Sequence, residues 1–174
     1  DSKFDEIFEE EDDISSTEKA KSRWAVLEAL VGAEPRLKQV AKDLISHYEQ
    51  RSKTQPGKAL IVGMSREICA RLYNEIVQLK PEWKDSDHMK GSVKVVMTAS
   101  ASESELLQPH HTNKQQKKDL ENRFKDPNDP LKIVLVRDMW LTGFDAPCLA
   151  TMYVDKPMKG ANLAQAIARV NRVF

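Results

Sequence analysis

The chain from Lys58 onward alternates short apolar runs with amphipathic stretches. The apolar runs predict four strands, at residues 59–63, 93–98, 132–136 and 150–154. Apolar residues that recur every three or four positions predict helices over residues 65–79, 112–124 and 162–172. Alternating strands and helices are typical of βαβ units, whose strands lie parallel in one sheet. We therefore predict an α/β fold, a parallel sheet flanked by helices.

Two further helical patterns precede this region. Ser15 and Glu18 form a capping-box pair, which predicts that a first helix begins there. A second amphipathic pattern begins near Pro35, a residue type that is tolerated at the first position of a helix. Residues 51–57 are polar and end in a proline and a glycine, which indicates a linker. We expect residues 15–57 to form a helical hairpin and linker, and residues 58–174 to form the main domain.

Composition and charge are those of an ordinary globular protein. Of the 174 residues, 40% are apolar and 31% are charged, which excludes collagen-like and wholly disordered classes. Residues 1–13 carry eight acidic side chains and one basic one, so we expect residues 1–14 to be a disordered acidic tail. The remainder holds 26 basic and 19 acidic residues, which permits a basic track without indicating nucleic-acid binding by itself.

The sequence also indicates the cellular compartment of the protein. It contains no apolar run long enough to span a bilayer, and its acidic start lacks the features of a secretory signal. Its two cysteines do not make a disulfide framework. We therefore expect a cytoplasmic protein with no membrane partner.

Candidate ligand-binding residues follow the predicted strands, because parallel α/β sheets bind ligands beyond the carboxyl ends of their strands. After the first strand, Ser65 can cap the next helix, and the N–H groups of its first turn can hold a phosphate together with Arg66. The alternative is an ordinary cap followed by a surface arginine. After the second strand, Thr98 and Ser100 offer hydroxyl groups, although a plain strand-to-loop exit has the same composition.

The loop after the third predicted strand contains Gly143 and Asp145 in a tight turn. Asp145 can accept hydrogen bonds from a ribose hydroxyl, as acidic residues do in other nucleotide-binding folds. It can equally stabilise the bend before Pro147 as an Asx-turn residue. The residues alone leave both interpretations open.

The last predicted helix places Gln165, Arg169 and Arg172 within about 60° of one another, opposite an apolar stripe. Two positioned guanidinium groups suit a phosphoryl group in transfer, whose charge is spread over its equatorial oxygens. The alternative is that these residues form the polar face that any amphipathic helix has.

Two kinds of site are not predicted. No Gly-x4-Gly-Lys-Ser/Thr phosphate loop occurs, since Gly57-Lys58 lacks both the upstream glycine and the following hydroxyl. His110-His111 has no companions at metal-ligand spacing, so we predict no metal site on this chain.

Taken in order, these features resemble the second RecA-like motor domain of superfamily 2 helicases and translocases. More narrowly, the chain is similar to the restriction (R, HsdR) subunit of type I restriction-modification enzymes. The resemblance spans residues 24–174 and is carried by the stretches LEALVGAEPRLKQVAKDL, KALIVGMSREICARLYNEIV and RFKDPNDPLKIVLVRDMWLTGFDAPCLATMYVDKPMKGANLAQAIARVNRVF. It is most specific in the last 50 residues.

The resemblance implies roles for particular residues. Contacts to DNA are implied for motif IV, the next strand exit and the start of motif V: Ser65, Arg66, Thr98, Ser100, Arg137 and Thr142. Contacts to ATP are implied for motifs V and VI: Gly143, Asp145, Gln165, Arg169 and Arg172, the two arginines being catalytic. Many helicases have threonine in place of Arg137 and glycine in place of Ala168, whereas the spacing of the motif VI residues is intact.

The resemblance also implies partners. In this family ATP is bound with Mg²⁺ mainly by a first RecA-like domain, and the subunit also carries a nuclease domain and meets methylase (M) and specificity (S) subunits. We therefore expect a fragment of a prokaryotic, ATP-dependent type I site-specific deoxyribonuclease that translocates double-stranded DNA. Because the sequence stops just after motif VI, we expect it to be truncated and inactive alone. The alternatives are the second motor domain of another superfamily 2 helicase, or a nonenzymatic α/β interaction module.

Overall fold

The computed structural model describes residues 14–98, 100, 102–141 and 144–157. The helices in these ranges are α1 (Ile14–Val31), α2 (Glu34–Thr54), α3 (Arg66–Leu79) and α4 (Lys114–Lys125). The strands are β1 (Lys58–Gly63), β2 (Val93–Val96), β3 (Ile133–Val136) and β4 (Leu149–Asp155). Short 3-10 helices lie at Pro81–Trp83 and Gln108–His110. None of the helices in this part of the chain is long and apolar enough to cross a membrane.

The strands form one parallel sheet in the order β2-β3-β1-β4. In the central strand β1, Leu60 lies opposite Val134 of β3 and Met152 of β4. Helix α3 connects β1 to β2, and α4 connects β2 to β3. The predicted α/β fold is confirmed, and a parallel sheet flanked by helices is consistent with a RecA-like fold.

The side chains of β1 alternate between two cores. Ala59 and Ile61 pack with α2 and α3 on one face, whereas Leu60 and Val62 pack with α4 on the other. All four of these residues are fully buried. A parallel strand covered on both faces is apolar at every position, which is why the sequence of β1 has no polar alternation.

Strand β2 is shorter than the sequence predicts. The prediction extended it to Thr98, but the strand ends at Val96. Val96 pairs with Val136, the last residue of β3, so the next residues have no ladder partner on that side. Met97 is still buried, which explains why the apolar pattern alone runs past the end of the strand.

The helical hairpin is part of the main core. Leu37, Ala41 and Ile45 of α2 are buried in the same cluster as β1 and α3. The Arg36 guanidinium also binds the carboxylate of Asp155 at the end of β4, with an Nη1–Oδ2 distance of 3.0 Å. Helix α2 therefore covers the sheet and is tied to its edge strand.

Two boundaries in the hairpin differ from the prediction. Helix α2 continues to Thr54, so the linker predicted at 51–57 is wrong over its first four residues. Their polar side chains lie on the solvent side of the helix, and polarity there does not end a helix. Ile14, expected in the tail, is already helical, and Ser15 inside α1 cannot supply a cap, which needs non-helical backbone angles. Residues 1–13 and the predicted helix at 162–172 lie outside the described residues.

Candidate functional site at the carboxyl edge of the sheet

The carboxyl ends of the parallel strands meet at one edge of the sheet, here called the carboxyl edge. Ser65 follows β1, Thr98 follows β2, and Arg137 directly follows β3. The parallel pairing brings these residues, which lie far apart in sequence, to the same edge.

Ser65 forms the amino-terminal cap of α3. Its backbone is extended, and its hydroxyl oxygen accepts a hydrogen bond from the Ile68 N–H at 3.1 Å. Helix α3 packs so closely against the end of β1 that a Cβ atom added at Gly63 would lie only 2.5 Å from the Cys69 sulfur. The predicted cap is confirmed, and the first turn of α3 is fixed at the carboxyl edge.

Arg66 is not a freely solvated surface arginine. Its Nη1 donates to the Thr98 carbonyl oxygen at 2.9 Å and to Glu103 Oε1 at 2.8 Å. The side chain is 26% exposed, so one part remains accessible to a ligand. Arg66 thus reaches from α3 to the loop after β2 and connects two segments that are predicted to contact phosphate.

Glu103 was missed by the sequence analysis. Its side chain is only 5% exposed, and Oε1 accepts the Ser100 backbone N–H at 2.6 Å in addition to Arg66. The hydrogen bond from the Ser100 N–H, followed by that from Arg66, lowers the pKa of the Glu103 carboxyl below its usual range. No local pattern could have identified this residue, because its partner Arg66 lies 37 positions away.

The hydroxyls expected to contact phosphate occupy two different situations. Thr98 is exposed, and its carbonyl oxygen is the acceptor for Arg66. The Ser100 hydroxyl is also on an exposed residue, but it donates to the Ser102 carbonyl oxygen at 3.0 Å. Ser100 therefore helps to shape the loop, whereas Thr98 presents its side chain to solvent.

The start of the loop after β3 is held by β4. Lys156, which follows β4, donates from Nζ to the Arg137 carbonyl oxygen at 2.7 Å and to Asp138 Oδ1 at 3.0 Å. The Arg137 Nε lies 3.6 Å from Asp138 Oδ2. These contacts place the half-buried Arg137 at the carboxyl edge beside the exits of β1 and β2.

Aromatic packing fixes the middle of the same loop. Trp140 has a positive φ of 67°, a conformation that is strained for a bulky residue. Its ring stacks on Phe144 with centroids 4.6 Å apart and lies 5.4 Å from the ring of Phe124. A strained backbone persists only where packing over-determines it, and such positions cluster at functional sites.

The remaining predicted site residues divide into one that is described and five that are not. Asp145 is exposed, between the buried residues Phe144 and Ala146. Five predicted residues lie outside the described ranges: Thr142, Gly143, Gln165, Arg169 and Arg172. Their roles stay predictions.

Lys58 lies at the opposite end of the sheet, here called the amino edge. It begins β1, is buried, and donates from Nζ to the Arg123 carbonyl oxygen at 2.8 Å. Burial lowers the pKa of this lysine. Lys58 is thus bound within the protein, at the end of β1 away from the candidate site.

Metal and thiol chemistry have no support in the described ranges. Within them, no group of three or more histidine, cysteine or acidic side chains is placed to hold a metal ion. Burial raises the pKa of the Cys69 thiol to about 12 and also raises that of Cys148. Neither thiol is therefore poised as a nucleophile.

Comparison with known proteins gives the family. Residues 38–174 match the family model described as type I restriction enzyme subunit R domain 3. The HindI type I restriction enzyme endonuclease subunit of Haemophilus influenzae is 53% identical over 170 residues, covering 98% of this chain and 16% of that protein. A protein of Methanocaldococcus jannaschii, whose name assigns it to the MjaIXP type I restriction enzyme as endonuclease subunit, is 43% identical over 176 residues, covering 100% of this chain and 16% of that protein.

The chain spans only about 16% of the length of these two relatives. The family match covers all four strands of the described sheet, including the carboxyl edge with Arg66 and Glu103. The chain therefore belongs to the family of type I restriction enzyme R subunits, within which it matches domain 3.

Proposed function

We propose that this chain acts as the second RecA-like motor domain of an R subunit, which couples ATP hydrolysis to translocation along double-stranded DNA. The observation that carries this proposal is the convergence of Ser65, Arg66 and Thr98 at the carboxyl edge, where α/β sheets bind their ligands. A capped helix amino terminus beside a partly exposed guanidinium is suited to a DNA phosphate. Such contacts hold the backbone without reading its sequence.

The ATP site is proposed to be shared with a first motor domain, which would hold most of the nucleotide and its Mg²⁺. Within the described ranges, the exit of β1 has no glycine-rich loop for phosphate, and Lys58 lies at the other end of that strand. Arg169 and Arg172 would complete the site from this chain, with Gln165, Gly143 and Asp145 as further contacts. Arginines in this role stabilise the charge on the transferred phosphoryl group and are worth about 10³ to 10⁵ in rate.

The relatives' names assign them to type I restriction enzymes as endonuclease subunits, which supports a role for this chain in a DNA-cleaving enzyme. In that enzyme the chain would work beside a nuclease domain of the same subunit and with methylase and specificity subunits. The motor would move the DNA, and that nuclease domain would cut it.

The deciding experiment measures DNA-stimulated ATPase activity in the complete R subunit. We expect Arg169→Ala and Arg172→Ala each to reduce kcat by about 10³-fold or more while ATP affinity is largely kept, because the lost contact belongs to the transition state. Lys38→Ala removes an exposed positive charge from α2 and is the matched control.

Unchanged turnover in both arginine variants would contradict the motor assignment and favour a nonenzymatic interaction module. Strand separation by the complete subunit without movement along duplex DNA would instead favour an unwinding helicase. The isolated 174-residue chain is expected to hydrolyse no ATP, and DNA-stimulated turnover by it would also contradict the proposal.

A further inference from the structure

We propose that Glu103 is a positioning residue that holds the Arg66 guanidinium so that its Nε and Nη2 edge faces a DNA phosphate. This inference rests on the proposed DNA grip and adds a residue to it. It concerns how one arginine is oriented within the carboxyl edge, and it assigns a purpose to a buried acidic side chain beside a surface expected to bind a polyanion.

The hydrogen bonds of Arg66 are confined to one nitrogen. Nη1 donates to the Thr98 carbonyl oxygen at 2.9 Å and to Glu103 Oε1 at 2.8 Å, which accounts for both of its protons. No residue of the described ranges accepts a hydrogen bond from Nε or Nη2. These two groups form the side of a guanidinium that binds carboxylates and phosphates through two parallel hydrogen bonds.

Glu103 also fixes the loop that the guanidinium touches. The same Oε1 accepts the Ser100 N–H at 2.6 Å, so one carboxylate oxygen joins the first turn of α3 to the exit of β2. The side chain is 5% exposed, which restricts its rotation. The guanidinium is therefore held from two sides by acceptors that both belong to the segment 98–103.

The second oxygen of the carboxylate distinguishes this pair from a fully satisfied ion pair. Among the described residues, Oε2 is buried and has no hydrogen-bond partner. A buried polar atom without a partner is unfavourable and calls for an explanation, which a positioning role supplies. Arg123 and Asp129 at the amino edge give the contrast, because both Asp129 oxygens accept hydrogen bonds.

The competing interpretation, in which Glu103 only neutralises Arg66, predicts the opposite change in DNA affinity when Glu103 is removed. If Glu103 merely neutralised Arg66, a phosphate would have to displace the carboxylate, and removing the carboxylate would strengthen DNA binding. If Glu103 positions Arg66, removing it frees the guanidinium and the loop, and DNA binding weakens. The sign of the change therefore separates the two interpretations.

The test uses the complete R subunit and a duplex of random sequence, with the dissociation constant measured over a range of salt concentrations. Each phosphate contact contributes about 0.9 to the slope of log K against log salt concentration. We expect Arg66→Ala and Glu103→Ala each to reduce the magnitude of this slope by about 0.9, the contribution of one phosphate contact. The double variant should have the same slope as Arg66→Ala alone. Glu103→Gln, which keeps an oxygen acceptor for the Ser100 N–H and Arg66, should retain the slope.

Two further variants keep the outcome interpretable. Glu103→Asp keeps the charge but withdraws the carboxylate by one methylene group, so it should lose the same contact; it also replaces Glu103→Ala if that variant does not fold. Glu105→Ala removes an exposed acidic side chain two positions away and should leave the slope unchanged.

The possible failures can be told apart. If Arg66→Ala leaves the slope unchanged, the proposed DNA grip at Arg66 is wrong. If Arg66→Ala lowers the slope but Glu103→Ala and Glu103→Asp do not, or if Glu103→Ala tightens binding, the grip stands and the positioning role is overturned.

Discussion

Arg123 at the amino edge and Arg66 at the carboxyl edge are used in opposite ways. Arg123 is 3% exposed as a side chain, and all three of its nitrogens donate hydrogen bonds: Nε to Asp129, Nη1 to the carbonyl oxygens of His88 and Lys90, and Nη2 to that of Gly91. Within the described ranges, Arg66 is 26% exposed and donates from one nitrogen only. A guanidinium that donates from every nitrogen within the protein stabilises the fold, whereas one with free donors can bind an anion.

The largest loss of stability is expected from replacing Arg123 at the amino edge. Arg123→Ala would remove the cation paired with Asp129 and the donor to three backbone carbonyl oxygens, so we expect a loss of about 3–5 kcal/mol of local stability, as for other buried ion pairs that lose one member. Hydrogen exchange of β2 and α4 in the complete subunit measures this loss. Protection equal to that of the wild type would show that Arg123 is not a structural link.

The pH dependence of stability tests the segment between β2 and α4, which contains His110. Burial, followed by the charges of Lys94 and Lys84, lowers the pKa of His110 to about 4. The unfolded chain, with a histidine pKa near 6.5, therefore binds the extra proton first as the pH falls, so stability decreases between about pH 6.5 and pH 4. At about 1.36 kcal/mol for each unit, this decrease is about 3 kcal/mol.

Replacement of the buried ring should remove that dependence. We expect the local stability of His110→Leu to be nearly independent of pH between pH 6.5 and pH 4. Hydrogen exchange around Tyr73 measures this stability, because the His110 ring packs on the Tyr73 ring with centroids 4.6 Å apart. His111→Leu replaces the exposed neighbour and is the matched control. An undiminished slope in His110→Leu would contradict the assignment.

The smallest change in stability is expected at the carboxyl edge. Arg66→Ala should cost only about 1 kcal/mol in local stability, because the pair with Glu103 is partly exposed and water can reach the carboxylate once the guanidinium is gone. Hydrogen exchange of the first turn of α3 would measure it. A loss as large as that of Arg123→Ala would erase the distinction between the two edges.

The sequence predicted what depends on local pattern. Strand β1 and helix α3 were placed to within one residue, because both have strong periodicity and Ser65 is a typical cap. Helix α4 was expected from Thr112, but a capping box formed by Asn113 and Gln116 starts it at Lys114. Such a box was readable from the sequence, and it was missed.

The networks around the two arginines could not be predicted in the same way. Arg123 bonds to carbonyl oxygens 32 to 35 positions away, and backbone acceptors leave no trace in the sequence. The pairing of Arg66 with Glu103 depends on where β2 ends relative to β1, with β3 between them. Parallel topology was therefore enough to expect Ser65, Arg66 and Thr98 at one edge of the sheet, whereas Glu103 beside them required the three-dimensional structure.

The two cysteines make this domain convenient for site-specific labelling. Thiol-reactive dyes react with the thiolate, and both native thiols have a raised pKa. Cys69 is a buried residue of α3, and the Cys148 thiol donates to the Phe124 carbonyl oxygen at 3.1 Å. A new cysteine at the exposed Ser102 would react far faster than either. A change in the fluorescence of a dye at that position on addition of duplex DNA would test whether the loop beside Arg66 lies at the proposed DNA contact.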